Sequence, residues 1–210
     1  MIKIENIDVY GFEAAIRGAR NPMNSWDRMD SCYNNGEFEI GENDYKLLKN
    51  LTIAGPEHRK WNRMVTVTMD ITAPLYWWKE YDTYKVGTVA NSCSTMHKIQ
   101  AKEFTLDDFS HEHLIKGYKG VLRLQIDVLN EARKIHNETK DKVYWWQMIQ
   151  LLPTSYNQKR TVHLNYEVLG TIYHQRRHHK LSEWVEFCDT IKTLPYSEFI
   201  TREFGDKDDM

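Results

Sequence analysis

Nowhere in the sequence do eighteen apolar residues run together, so no segment is expected to cross a membrane as a helix. The first residues, MIKIENIDVYGF, also lack the basic segment, apolar stretch and small-residue cleavage site of a secretory leader, and a cytoplasmic protein is expected. Cysteine is scarce: Cys32, Cys93 and Cys188 are odd in number, far apart and without Cys-x-x-Cys spacing. That argues against a disulfide framework and a structural zinc site, and it fits a reducing compartment. An excess of one charge sign is missing too, because 28 basic residues nearly cancel 30 acidic ones. No global field draws the chain to nucleic acid or to an anionic membrane; local basic patches such as HQRRHHK (174–180) remain, and any polyanion bound is expected to be small. Gly-rich phosphate fingerprints of the Rossmann and P-loop kinds are absent. A phosphate would therefore have to be met by side chains such as Lys85, Lys159 or Arg160 and by hydroxyls such as Ser92 and Ser94.

What the chain does have is apolar and aromatic mass. Its 210 residues are 41% hydrophobic and include seven Trp, twelve Tyr and seven Phe, enough for a real core. Alternation in IKIENIDVYGF predicts an edge or half-buried strand, and MVTVTMDIT (64–72) is the clearest strand of all, with Val65, Val67, Met69 and Ile71 opposing Thr66, Thr68, Asp70 and Thr72. Ala73-Pro74 then starts a predicted helix in APLYWWKEYDTYK, with Thr72 able to cap it. Residues 20–43 read as a long loop without periodicity, and NDYKLLKNLTIAG (43–55) as a short helix with an Asn/Asp start and a Gly stop. The longest helix is expected over 113–138, where Leu114, Tyr118, Val121, Leu122, Leu129 and Ala132 form one apolar stripe for a core or a neighbouring subunit. KVYWWQMIQLL follows as a helix stopped by Pro153. From 159 the chain reads as a strand that turns helical near Asn165, and LSEWVEFCDTIKTL as a last amphipathic helix ended by Pro195. The acidic tail from about 203 to 210 is expected to fray.

Some of these segments carry candidate chemistry. On the helix after Asn165, steps of four, three and four residues place Asn165, Leu169, Ile172 and Arg176 on one face. A flat heterocycle lying on Leu169 and Ile172, with its carbonyls held by the carboxamide and the guanidinium, would suit that face. The plainer reading of the helix alone is that Arg176 pairs with a carboxylate elsewhere and Asn165 caps the helix. Metal is not expected: the histidines of HEH (111–113), two residues apart, diverge by about 200° on a helix, and His178 and His179 also point apart. Cys93 could act as a nucleophile with His97 as its base at i+4 if that segment is helical; the plainer reading is a small buried hydrophobe.

Three blocks resemble the flavin-dependent thymidylate synthases of the ThyX type: LLKNLTIAGPEH, VTVTMDITAPLYWWKEYDTYKVGT and LLPTSYNQKRTVHLNYEVLGTIYHQRRHHKLSEW. Together they cover roughly residues 44 to 187, in the family's order. The resemblance implies a single α+β domain over 1–210, with a central mixed or antiparallel sheet flanked by helices, in a homotetramer whose active sites lie at subunit interfaces. It implies a one-carbon transfer from methylenetetrahydrofolate to C5 of dUMP with FAD and NADPH, without a cysteine nucleophile. It places flavin contacts at His58, Lys85, Thr88, Asn91 and Asn165, and substrate contacts at Ser92, Ser94, His97, Lys159 and Arg176, with Arg176 holding the base as the catalytic candidate. The family's Arg-His-Arg signature falls on Thr83-Tyr84-Lys85, so the chain resembles a divergent, phage-like branch. Its serine falls on Thr88, its acid on Asn91, and its last serine and arginine on Cys93 and Thr95, or on Ser94 and His97 with a small shift. A related pyrimidine C5 hydroxymethylase, or a descendant that binds nucleotide or protein without catalysis, would carry the same blocks.

Overall fold

The structure, a computed structural model, describes residues 1–204. In chain order its elements are β1 (Lys3–Tyr10), α1 (Phe12–Arg20), β2 (Cys32–Asn34), β3 (Glu37–Glu39), α2 (Glu42–Ala54), β4 (Thr66–Pro74), α3 (Leu75–Tyr81), β5 (Val89–Ser92) and α4 (Thr95–Lys98). There follow α5 (Lys116–Thr139), α6 (Lys142–Leu151), β6 (Asn157–Asn165), α7 (Tyr166–Arg176), α8 (Ser182–Lys192) and α9 (Glu198–Thr201). The main sheet has the order β1-β4-β6-β5 and is antiparallel with helices flanking it, the expected α+β class; β2 and β3 form a separate hairpin.

Two compact units divide the chain. One comprises Met1–Lys3, Asp70–Thr83 and Ala90–Thr161; the other comprises Ile4–Met69, Tyr84–Val89 and the chain from Val162 on. In the first unit α5 and α6 close a core of Ile99, Phe104, Phe109, Leu122, Ile126, Leu129 and Met148. The single stripe expected on α5 is really two faces: Leu122, Leu129 and Ala132 are buried, whereas Tyr118 and Val121 are exposed together with Leu124 and Val128. Nearby, α3 begins without the expected cap from Thr72, because β4 continues through Pro74 and no side chain caps the helix. Its first amides are met instead by backbone from beyond α6: Leu75 N donates to Tyr156 O (3.0 Å) and Tyr76 N to Thr154 O (3.1 Å).

In the second unit Val65, just before β4, and Val67 and Met69 within it are buried as expected. In β1 the alternation changes parity between Ile4 and Ile7, and Asn6 sits there at φ 52°, the local kink that a parity change needs. The predicted loop over 20–43 holds more order than expected, with two short 3₁₀ turns and the β2–β3 hairpin. Asn35-Gly36, both at positive φ, make its two-residue turn, and an Asn-Gly pair is the sequence signal for it. Arg20 and Asp44 tie this segment down: Asp44 Oδ1 accepts from Arg20 Nε at 2.6 Å, and Oδ2 from the Ser31 hydroxyl at 2.6 Å. α8 is not the last helix, since α9 follows Pro195, with Phe199 and Ile200 buried. At the tail, Glu203 accepts from Arg177 (2.6 Å) and Phe204 packs on Phe199; residues 205–210 lie outside the described residues.

Candidate functional site

The segment Tyr84–Val89 and the helix α7 build the candidate site of the second unit. Asn165 is the N-cap of α7, its Oδ1 accepting from Val168 N at 3.0 Å. Gly87, at φ 77°, lets the loop approach this cap so closely that a Cβ there would stand 3.2 Å from both Asn165 Nδ2 and Val168 Cγ2. The loop closes on itself where the Thr88 hydroxyl donates to the Tyr84 carbonyl. At the other end of α7, Arg176 Nε donates to the Tyr84 hydroxyl at 2.9 Å, and that hydroxyl donates to Gln175 Oε1 at 2.9 Å. The Arg176 guanidinium lies over the Trp184 ring, 4.9 Å from its centroid. A cation on an aromatic face with its Nε hydrogen-bonded has lost most of its torsional freedom.

Between these ends the face differs from the expectation. Leu169 and Ile172 are fully buried, so no heterocycle can lie on them. The helix spends that strip on its own core, where apolar area has the larger stabilising effect. At the first turn of α7, Glu167 receives Arg59 Nε at 2.8 Å and lies 3.6 Å from Arg202 Nη2, two cations on one carboxylate. His58 sits in the turn after α2, half-exposed, with Nε2 3.7 Å from Glu57. Lys85 is exposed.

The first unit carries the other candidates. Asn91 and Ser92 lie exposed on β5, a strand the sequence did not announce. Beyond it, Cys93 is bound through its backbone to β6: its N donates to Lys159 O (2.9 Å) and its O accepts from Gln158 Nε2 (2.8 Å). Cys93 is exposed, not the small buried hydrophobe of the plainer reading, and the alternative with His97 as its base is not supported either. The helix starts only at Thr95, and His97 Nδ1 is paired with Ser94 Oγ at 2.8 Å, the same oxygen that caps α4. Lys159 Nζ is bonded to Asp70 at 3.0 Å, so its charge is already shared. A cavity of about 480 Å³ opens here, lined among others by Ser94, Lys98, Phe104, Tyr156 and Lys159. That is the size of a small-molecule pocket. Burial, then the charges of Asp108 and Cys93, push the Tyr156 phenol up, so it lines the cavity as a neutral donor. Of the remaining histidine candidates, His111 Nδ1 is paired with Phe109 O, and Glu112 binds the Met1 amine.

No protein-family model and no curated protein sequence matches the chain. Solved structures do. The flavin-dependent thymidylate synthase ThyX from Helicobacter pylori, complexed with FAD and dUMP, aligns at TM-score 0.66 and 14% identity over 93% of this chain and 96% of that chain. A second structure of Helicobacter pylori ThyX with FAD and dUMP gives 0.67 and 14% over 95% and 96%. The UMP/dUMP methylase PolB from Streptomyces cacaoi, bound with 5-Br dUMP, gives 0.60 and 14% over 92% and 89%. The fold is that of ThyX.

On this ThyX fold, the loop expected to carry Arg-His-Arg carries Tyr84, a phenol turned onto Arg176, and Trp184 completes the contact. Sequence reading named Arg176 without either partner, because Tyr84 is 92 residues away and Trp184 sits on the next helix. Arg59 was missed for the same reason. Arg160, weighed as a phosphate ligand, instead stacks on Trp78 (4.3 Å) and bonds Asp82 (2.7 Å).

Proposed function

We propose that this chain is a pyrimidine-nucleotide enzyme that transfers a one-carbon unit from methylenetetrahydrofolate to C5 of dUMP, using FAD and NADPH, as a homotetramer. The ThyX-like fold supports the reading, and the observation that carries it is Arg176, the best-matched residue of the resemblance, held in one orientation by Tyr84 and Trp184. A fixed planar guanidinium suits the carbonyl edge of a uracil, which it can meet with parallel N–H donors. The first unit's cavity offers Ser94 and Lys98, and Lys159 beside Asp70, for a phosphate. Each assignment is made within its own unit.

The donor set also fits a flavin dinucleotide. In the second unit Lys85 offers an exposed ammonium to its diphosphate, His58 is half-exposed, and Asn165 has Nδ2 beyond its capping oxygen. When bound, the flavin would supply the redox chemistry, so that no cysteine nucleophile is called for. One ammonium matches only part of a diphosphate's charge, and retention should weaken with salt.

Two measurements test the reading: the visible absorbance of protein desalted after FAD is added, and dUMP titration of wild type and Arg176→Ala. Retained flavin bands and a loss of about 2–3 kcal/mol in dUMP affinity for Arg176→Ala are expected. Unchanged dUMP affinity in that variant would sink the base assignment. A second reading, nucleotide binding without catalysis, is favoured by the way Thr88 and Asn165 spend their oxygens inside the fold. A colourless protein that still binds dUMP would select it.

A further inference from the structure

We propose that Tyr84 is the positioning residue for Arg176, making discrimination for the uracil base depend on a phenol hydroxyl in this chain. The inference rests on the proposed contact of Arg176 with the base. It comes from one hydroxyl with two jobs: it accepts from Arg176 Nε at 2.9 Å and donates to Gln175 Oε1 at 2.9 Å. Arg176 is the last residue of α7, and its side chain is a long stem of several rotatable bonds. A flexible stem there would sample many rotamers, and ordering it on ligand binding would cost affinity. Contacts with Tyr84 and Trp184 restrict that freedom beforehand. The Tyr84 hydroxyl fixes Nε, the Trp184 face fixes the guanidinium plane at 4.9 Å, and the Tyr84 ring lies 5.7 Å from the same carbon.

Tyr84 is itself held by its loop. Its ring packs edge-on against Trp184, with centroids 6.1 Å apart, its carbonyl accepts from the Thr88 hydroxyl, and Gly87 provides the turn that brings the loop to α7. Tyr84 touches no reacting atom in this scheme. It acts through Arg176, and the property it controls is how well a base is told from no base.

The test compares dUMP with 2-deoxyribose 5-phosphate, which keeps the sugar phosphate and lacks the base, by calorimetric titration of wild type, Tyr84→Phe and Arg176→Ala. Tyr84→Phe retains the ring and its packing on Trp184. It is expected to weaken dUMP about tenfold while leaving 2-deoxyribose 5-phosphate unchanged. If Arg176→Ala loses dUMP affinity and Tyr84→Phe does not, the positioning role is overturned and the base contact stands. If Tyr84→Phe weakens both ligands equally, the hydroxyl is structural and the inference is again overturned. If Arg176→Ala binds dUMP like wild type, or wild type binds none, the base contact itself fails and the inference with it.

Discussion

Asp44 shows how a single carboxylate can hold an irregular segment in place. Burial would raise its pKa, but hydrogen bonds from the Ser31 hydroxyl, Arg20, and the amides of Asp30 and Ser31 outweigh that and keep it below the usual carboxylate range. A group depressed in the folded state stabilises fully above its unfolded pKa, and the contribution is lost as pH falls through the folded one. Urea unfolding followed from neutral pH down to about pH 3 should therefore show a stability loss that Asp44→Asn lacks. That variant should also start about 3 kcal/mol less stable, because Arg20 is only 4% exposed and would keep a buried, unpaired charge. An acid slope identical in the two proteins would show that other carboxylates carry it. Neither partner was legible as a pair in the sequence. Asp44 read only as part of a helix start, and Arg20 as the edge of a loop, since 24 residues separate them.

Elements were far more legible than partners. The β4 alternation, the Gly55 stop of α2, the Pro153 stop of α6 and the strand-to-helix change at Asn165 are local signals, and the structure has each of them. What failed was non-local: the start of α3 is satisfied by the carbonyls of Thr154 and Tyr156, and β5, with no apolar alternation, exists because the fold gives it a neighbour. Asn165 joins the two levels, as cap and as candidate flavin contact, and substitutions separate the roles. Asn165→Ala should cost about 1 kcal/mol in thermal or urea unfolding, the usual worth of an N-cap. Asn165→Ser keeps a capping oxygen and removes Nδ2. It should unfold like wild type yet retain less FAD after desalting, and equal retention would leave Asn165 a cap alone. Gly11, between β1 and α1, is stricter. At φ 102° with the Met64 carbonyl oxygen where any Cβ would stand, Gly11→Ala should lose about 2 kcal/mol or more.

At the scale of the whole molecule the open question is assembly, and the first unit holds the argument. Exposed Ile115, Tyr118, Val121, Leu124 and Val128 sit on or just before α5, and exposed Val143 and Trp146 on α6. Val121, Leu124 and Val128 follow one another at steps of three and four, so they share a face that the buried residues of α5 do not use. Charged Lys119, Arg123 and Asp127 stand between them in sequence, so the helix is not simply apolar all round. Amphipathic on two sides, α5 turns one to its core and one to solvent, and an exposed apolar face of this kind marks an interaction surface. Only one stripe is legible from the spacing because periodicity reports which residues share a face, not which of two faces finds the core. The proposed homotetramer would cover the second. Sedimentation or light scattering at micromolar concentration should then find an assembly, and Val121→Glu with Leu124→Glu should dissociate it, because each carboxylate would have to be desolvated in the interface. Both positions are exposed within the chain, so the variant's far-ultraviolet circular dichroism and unfolding should match those of wild-type chains at the same degree of association. A wild-type protein that sediments as a monomer would overturn the assembly and leave this face for another partner. A double variant that still assembles would move the interface to a different surface.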